Sequence, residues 1–184
     1  MWMTVATLLL ASCSTMATQP DIDRTNAGIL FGVEVCERQA SGVPIEQAVT
    51  ETARGRSYER QGGGIRGSRL QGPTWKLDGM VWVGLNTEGT CDVFALSGSG
   101  LAARDRVVES HLAMSSRRWA RMRVIPAPAG ETRDGLCTVD RMPEGRSLGI
   151  VMTSRNDNAI TLDRTFVATV IQTDAASCLS RQIP

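Results

Sequence analysis

The sequence predicts an α+β fold, in which an antiparallel sheet of about five to seven strands carries two or three helices on one face. Helical spacing of apolar residues is concentrated in the first third of the chain, whereas alternating segments between turn residues fill most of the rest. The chain has 184 residues, 42% hydrophobic and 21% charged, which suits a single core. We therefore expect one domain over residues 25–184, stabilised by two disulfides.

The first two helices are predicted from apolar spacing and a helix-starting proline. Over residues 26–38, Ile29, Val33 and Cys36 recur at helical spacing, which turns Cys36 toward the core. Pro44 suits the first turn of a second helix. The apolar face of that helix is Ile45, Ala48, Val49 and Ala53.

The segment over residues 56–73 reads as a long basic loop, because it is rich in glycine and arginine and poor in apolar residues. Its run Gly62-Gly63-Gly64-Ile65-Arg66-Gly67 matches G-x-G-x-x-G literally. The phosphate cradle of that motif needs a strand before it and a helix after it, and neither is predicted. The loop is either a functional segment or solvated without a partner.

A third helix is predicted over residues 101–115 behind a Ser99 cap. Its apolar line is Leu101, Val108 and Leu112. Strands are predicted from period-2 patterning and intervening turns. They cover residues 74–77, 80–86, 91–96, 119–125, 136–140, 148–153 and 160–172.

The strand over residues 119–125 has an apolar face and a basic face. The apolar face is Ala120, Met122 and Val124, and the basic face is Trp119, Arg121 and Arg123. We expect a candidate binding patch for an acidic protein face or an anionic envelope polymer. Its members are Arg66, Arg69, Arg117, Arg118, Trp119, Arg121 and Arg123. The alternative is an exposed basic strand face without a partner.

Four cysteines, Cys36, Cys91, Cys137 and Cys178, are too far apart for a C-x-x-C or zinc pattern. Their even number favours two disulfides in an oxidising compartment, with buried free thiols as the alternative. Three connectivities are open. Of these we favour Cys91 with Cys137 and Cys36 with Cys178.

The first 12 residues form a predicted signal peptide, with an apolar run over residues 5–11. Leu10-Ala11-Ser12-Cys13 resembles the lipobox of bacterial lipoproteins. The resemblance implies cleavage before Cys13, lipidation of that cysteine and a lasting membrane anchor. Ser14, where an aspartate would signal inner-membrane retention, implies the periplasmic side of the outer membrane. Residues 1–4 lack Lys and Arg, so we expect a basic stretch encoded upstream.

Residues 13–24 are rich in Ser, Thr, Pro and Asp, and we expect them to be a flexible tether. The net charge of +1 is too small to create a positive electrostatic potential that attracts nucleic acid, so we expect no nucleic-acid partner. His111 is the only histidine, which excludes a multi-histidine zinc site. We expect it to be structural, and we expect no cofactor.

These observations favour an exported cell-envelope lipoprotein that acts as a non-catalytic binding module. A small envelope hydrolase using carboxylate or serine chemistry is one alternative. Glu88 and Asp92 flank the first hairpin turn, where we interpret them as ordinary solvated turn residues, and the sequence identifies no catalytic residue. A small-ligand carrier, with an apolar cavity between helices and sheet, is the other alternative.

Overall fold

A computed structural model describes residues 18–65, 68–96, 98–114, 116–139, 145–155 and 165–174. The helices are α1 (Gln19–Ala40), α2 (Ile45–Ala53) and α3 (Gly100–Leu112). The strands are β1 (Glu59–Gln61), β2 (Leu70–Lys76), β3 (Val81–Asn86), β4 (Cys91–Ala95), β5 (Trp119–Arg121), β6 (Glu131–Thr138), β7 (Arg146–Arg155) and β8 (Phe166–Asp174). The α+β class with an antiparallel sheet is confirmed.

The sheet consists of two four-stranded meanders that meet in its middle. Its order is β1-β2-β3-β4-β8-β7-β6-β5, and neighbouring strands are antiparallel. β4 and β8 form the junction, where Cys91 lies opposite Val170 and Ala95 opposite Phe166. α3 carries the chain from this junction to β5 at the far edge. Both edge strands have only three residues, which limits pairing with other chains.

The predicted count of five to seven strands is wrong, since the described residues form eight. The extra strand, β1, lies inside the segment predicted as a loop over residues 56–73, and β2 begins there too, at Leu70. β1 pairs with β2 from Glu59 opposite Lys76 to Gln61 opposite Thr74. Because β1 is an edge strand held by backbone hydrogen bonds, its polar sequence carries no alternation signal.

α1 begins within the segment predicted as a tether, so that prediction is wrong from Gln19 onward. The Asp21 carboxylate accepts hydrogen bonds from the Thr18 hydroxyl and the Thr18 backbone N–H. This hydrogen bonding lowers the pKa of Asp21 below its ordinary 3.8. The cap and Pro20 in the first turn start the helix earlier than apolar spacing alone indicates.

The main core lies between the helices and one face of the sheet. Its centre is formed by side chains with no solvent exposure, including Val33, Val83, Val93, Ile150 and Phe166. α1 approaches the sheet closely at its glycines. A Cβ atom added to Gly28 would lie 2.4 Å from the carbonyl oxygen of Asp78.

α2 starts directly after Pro44, which is its N-cap rather than a first-turn residue, and Ala48, Val49 and Ala53 of the predicted apolar face are buried. The start of α3 is confirmed as well, because the Ser99 hydroxyl accepts from the Ala102 N–H at 3.2 Å. The predicted apolar line of α3 is wrong at its end, where Leu112 is 47% exposed.

The face of α3 that packs on the core instead includes Ala103, Val107 and His111. A polar residue therefore occupies a core position that apolar spacing assigned to its neighbour. The hydrogen bonds of His111, described below, are the physical reason.

The predicted strand over residues 119–125 is shortened to β5, and its two faces are not as expected. Trp119 is 7% exposed and belongs to the helix-side core. Met122 is also buried, on the opposite face of the sheet beside Cys137. Both faces are covered here because helices pack on one and the chain from Met122 to Val124 packs over Gly135 on the other.

The favoured disulfide pairing is wrong. Cys36 on α1 is bonded to Cys91 on β4, with Cα atoms 5.2 Å apart and both residues fully buried. Cys36 projects from the buried face of α1 directly toward the sheet centre, and spacing along the chain could not reveal this. Cys137 is disulfide-bonded as well. The predictions for Cys13 and Cys178 lie outside the described residues.

Candidate binding groove

A groove lies on the surface of the helix layer, between the second half of α1 and the chain that follows α3. We call it the α1–α3 groove. Its volume is about 490 Å³, within the range typical of small-molecule sites. It is lined by Glu34, Glu37, Arg38, Ser41, Val43, Met114, Ser116 and Arg117.

The spacing along α1 brings the acidic and basic members of the groove together. Glu34, Glu37 and Arg38 are three and four residues apart, so they share one face of the helix. Ser41 and Val43 follow at the helix C-terminus. The helical spacing of these three charged residues is therefore a sequence signal for the α1 side of the groove, but not for Arg117 on the other side.

A smaller cavity of about 150 Å³ adjoins the groove and shares Glu34, Glu37 and Met114 with it. Leu30 and Phe31 add apolar surface to this cavity. The guanidinium of Arg56 lies over the Phe31 ring, 5.6 Å from its centroid, at the distance of a cation–π contact. The groove thus adjoins a side pocket of mixed character, in which Leu30, Phe31 and Met114 form an apolar wall beside charged and polar side chains.

His111 forms the buried base of this region and is 2% exposed. Its Nδ1 lies 2.7 Å from the Val107 carbonyl oxygen, and its Nε2 lies 2.6 Å from Oε1 of Glu37. A carbonyl oxygen only accepts, so Nδ1 carries a hydrogen and the Nε2–Oε1 contact needs a further proton between its atoms. The Trp119 ring packs edge-on at 4.9 Å between centroids. Both nitrogens are engaged, so neither is available to a substrate.

Glu37 also faces Arg117, because its second oxygen lies 3.6 Å from Nη1 of Arg117. This is an ion-pair distance but is longer than a hydrogen bond. Nη1 is shielded from solvent and lacks a hydrogen-bond acceptor among the described residues. The Arg117 side chain is 39% exposed. Arg117 thus lines the groove without a hydrogen bond to a described residue, and its exposed part rather than Nη1 is what a ligand would reach.

Glu34 and Arg38 complete the charged groups of the groove. Arg38 is ion-paired with Glu51 on α2. Glu34 is exposed and has no hydrogen-bond or ion-pair partner in the described part of the chain. An uncompensated carboxylate and an under-bonded guanidinium thus lie in the same groove.

The members of the predicted basic patch are placed apart. Trp119 is buried, Arg121 is ion-paired with Asp134, and Arg118 and Arg123 are exposed. Arg117 lies in the α1–α3 groove instead. Arg66 lies outside the described residues.

Arg69 is separated from these arginines by most of the sheet. It reaches β4 and β8 in the middle, whereas Arg121 lies on edge strand β5. Three or four strand spacings of about 4.8 Å separate these positions, or roughly 15 to 20 Å. Arg69 and the β5 arginines therefore do not share one compact site.

A second polar cluster lies on the sheet face opposite the helices. The side chain of Asp92 is only 3% exposed. It accepts from Asn86 at 3.1 Å and from Arg69 at 3.4 Å. Arg69 also lies 3.6 Å from Glu88 and 3.4 Å from the Thr169 hydroxyl. The two hairpin carboxylates singled out from the sequence thus share one arginine.

Burial raises the pKa of Asp92 above its ordinary 3.8, although hydrogen bonds from Thr169 and Asn86 and the charge of Arg69 oppose this. A carboxyl with a raised pKa can act as a general acid. Here its oxygens are already occupied by neighbouring donors, and Arg69 lies on the solvent side. The arrangement ties the segment before β2 to the sheet.

No group of three or more His, Cys, Asp or Glu side chains suited to a metal ion occurs within residues 18–65, 68–96, 98–114, 116–139, 145–155 and 165–174. Over the same ranges, no helix has the length and apolar character needed to cross a membrane. Comparisons with protein families, curated proteins and solved structures found no match.

Proposed function

We propose that this chain is an exported bacterial cell-envelope lipoprotein whose folded domain is a non-catalytic binding module, with the α1–α3 groove as its binding site. The observation that carries the proposal is the buried Cys36–Cys91 disulfide between α1 and β4. Structural disulfides persist in oxidising compartments and are rare in the reducing cytosol. Together with the lipobox resemblance at Cys13, the disulfide supports export and anchoring.

The chemistry of the groove favours binding over catalysis. Its histidine has both nitrogens engaged, and its remaining functional groups are carboxylates, guanidinium groups and hydroxyls. Such groups orient a ligand through charge and hydrogen bonds. The space between helices and sheet is filled by buried side chains, so a carrier role would also have to use the surface groove.

A carboxylate-dependent hydrolase is the second candidate, and the raised pKa of Asp92 is the observation that favours it. It is the weaker proposal, because substrate would have to displace Arg69 to reach a side chain that is 3% exposed. Hydrolytic activity lost in Asp92→Asn but kept in Arg117→Ala would favour this candidate.

The test of the lipoprotein proposal is membrane fractionation of the full chain, expressed with its own leader in a bacterium that has an outer membrane. Wild-type protein should sediment with outer membranes, whereas Cys13→Ser should appear in the soluble fraction. Ser12→Ala keeps a small residue before the cysteine and serves as the matched control, with retention expected. Membrane association of Cys13→Ser at the wild-type level would overturn the proposal.

Sorting between membranes gives a second readout. The resemblance implies that Ser14 permits transfer to the outer membrane, so Ser14→Asp should shift the protein to the inner-membrane band of a density gradient. Unchanged outer-membrane sedimentation of Ser14→Asp would contradict the predicted location while leaving the anchor itself intact.

A further inference from the structure

We propose that the α1–α3 groove binds a small zwitterion that has a free amine and a free carboxylate, of the amino-acid or short-peptide type, with an apolar side chain. This inference rests on the proposed binding function and names its ligand class. Three features of the groove support it: a guanidinium without a hydrogen-bond partner among the described residues, an unpaired carboxylate and a side pocket with one apolar wall, formed by Leu30, Phe31 and Met114.

The carboxylate of the ligand is assigned to Arg117. A guanidinium has five N–H donors, and the described structure offers Arg117 only the Glu37 ion pair at 3.6 Å. Glu37 is itself held by His111 through a 2.6 Å hydrogen bond, so it is fixed in place. Glu37 therefore holds Arg117 in place through Nη1, and the remaining guanidinium N–H groups can donate to a planar carboxylate in the groove.

The amine of the ligand is assigned to Glu34. This carboxylate lines both the groove and its side pocket, and it lacks a partner among the described residues. Glu34 lies one helical turn before Glu37, a separation of about 5 Å along the helix axis.

A dipeptide is taken as the representative ligand, because it carries both terminal charges and an apolar side chain beside its amine. The side pocket of about 150 Å³, between Phe31 and Met114, lies beside Glu34. It would take an apolar side chain of the residue whose amine Glu34 binds.

The test is calorimetric titration of the full-length lipidated protein in detergent with leucyl-leucine as the probe. Leucine, N-acetyl-leucyl-leucine and leucyl-leucine amide form the comparison arms. The unblocked dipeptide should bind most tightly, and blocking either terminus should weaken binding by about tenfold or more, the effect of losing one charge-assisted hydrogen-bonded pair. Leucine carries both termini as well, so binding of leucine as tight as that of leucyl-leucine would assign the groove to a single amino acid.

Variants assign each terminus to its residue. Arg117→Ala should weaken leucyl-leucine as much as amidation does, and should not weaken the amide further. Glu34→Gln should weaken binding of leucyl-leucine as much as N-acetylation of the peptide does, and should not weaken binding of the acetylated peptide further. Arg117→Lys keeps the charge without the planar fork and should bind between the wild type and Arg117→Ala. Arg121→Ala, on β5 beside Asp134, is the matched control and should bind like wild type.

Several results would overturn the assignment. Equal binding of blocked and free peptides would show that the groove does not recognise the two terminal charges. Absence of binding heat with every probe would show that amino acids and short peptides are not its ligands. A concentration-dependent dimer in sedimentation that Arg117→Ala disrupts would mean that a second copy fills the groove. Each of these can occur while Cys13→Ser still releases the protein from membranes, so failure here is separable from failure of the lipoprotein proposal. Circular dichroism spectra should be the same for every variant.

Discussion

Glu37 and His111, 74 residues apart in the chain, are joined by a 2.6 Å hydrogen bond that links α1 to α3. Because α1 packs on β3, β4 and β8, and α3 packs on β7 and β8, this bond connects helices lying over both meanders. The same carboxylate holds Arg117 at the groove. One buried polar pair thus connects the packing of the fold to the geometry of the proposed site.

Removing the His111 imidazole should therefore destabilise the folded protein. We predict that His111→Ala lowers the free energy of unfolding by about 3 kcal/mol, because it leaves a largely buried carboxylate without its closest donor. Urea denaturation measures this, with the exposed helical residue Glu109→Ala as a control that should change stability by less than about 0.5 kcal/mol. The double variant with Glu37→Ala should be less destabilised than the sum of the single variants. A loss below about 1 kcal/mol would show that the pair is not structural.

The raised pKa of Asp92 predicts how the free energy of unfolding depends on pH. Its folded-state pKa lies above its ordinary 3.8, so the folded protein holds this proton more tightly than the unfolded chain does. Ionisation of Asp92 therefore lowers the free energy of unfolding as the pH rises from the ordinary value through the raised one, and the loss is complete above it. At lower pH this destabilisation disappears.

The corresponding measurement compares Asp92→Asn with wild type by urea unfolding at about pH 3 and about pH 7. The stability of the variant relative to wild type should increase from the lower pH to the higher one. Thr169→Val removes a hydrogen bond that lowers the pKa of Asp92, so this pKa should be higher in the variant than in wild type. The pH-dependent loss of stability in Thr169→Val should therefore continue to a higher pH than in wild type. Parallel pH profiles for Asp92→Asn and wild type would contradict this account.

Gly28 tests the close packing of α1. Alanine normally stabilises a helix interior relative to glycine, by up to about 1 kcal/mol. Here the added Cβ would lie 2.4 Å from the Asp78 carbonyl oxygen, so we predict that Gly28→Ala lowers the free energy of unfolding by about 1 to 3 kcal/mol. A Cβ atom added to Gly63 would have no neighbour within 4 Å, so Gly63→Ala is the control and should not be destabilised by a clash. A stabilised Gly28→Ala protein would mean that α1 lies farther from the β2–β3 turn.

The Cys36–Cys91 disulfide closes a loop with a sequence separation of 55. In the chain-entropy model such a crosslink contributes about 4 kcal/mol by restricting the unfolded chain. The double variant Cys36→Ala and Cys91→Ala should show a loss of that order in chemical denaturation. A variant as stable as wild type would show that the crosslink is dispensable for the fold.

The architecture was predictable where the local signals agreed. Pro44 and the periodic alanine and valine residues of α2, and the Ser99 cap of α3, placed two helices correctly. The strands predicted over residues 80–86 and 91–96, with a turn between them, correspond to the antiparallel hairpin of β3 and β4. In each case the determining interaction lies within a few residues of the chain, which is the range over which sequence patterns are informative.

Features set by contacts between distant segments were not predictable in this way. The polar strand β1 exists because β2 offers it backbone partners, and Trp119 is buried because α3 brings His111 against it. The Cys36–Cys91 pairing depends on how α1 lies across the sheet. The groove was missed for the same reason, since Arg117 meets Glu37 only after α3 folds back beside α1.

The most direct test of the central claim is a non-reducing peptide map of protein extracted from native membranes, which determines the state of all five cysteines in one experiment. The account predicts Cys36 linked to Cys91, Cys137 linked to Cys178, and an N-terminal peptide that begins at acylated Cys13. An unmodified Cys13 preceded by residues 1–12, or Cys13 in a disulfide with Cys137, would contradict it.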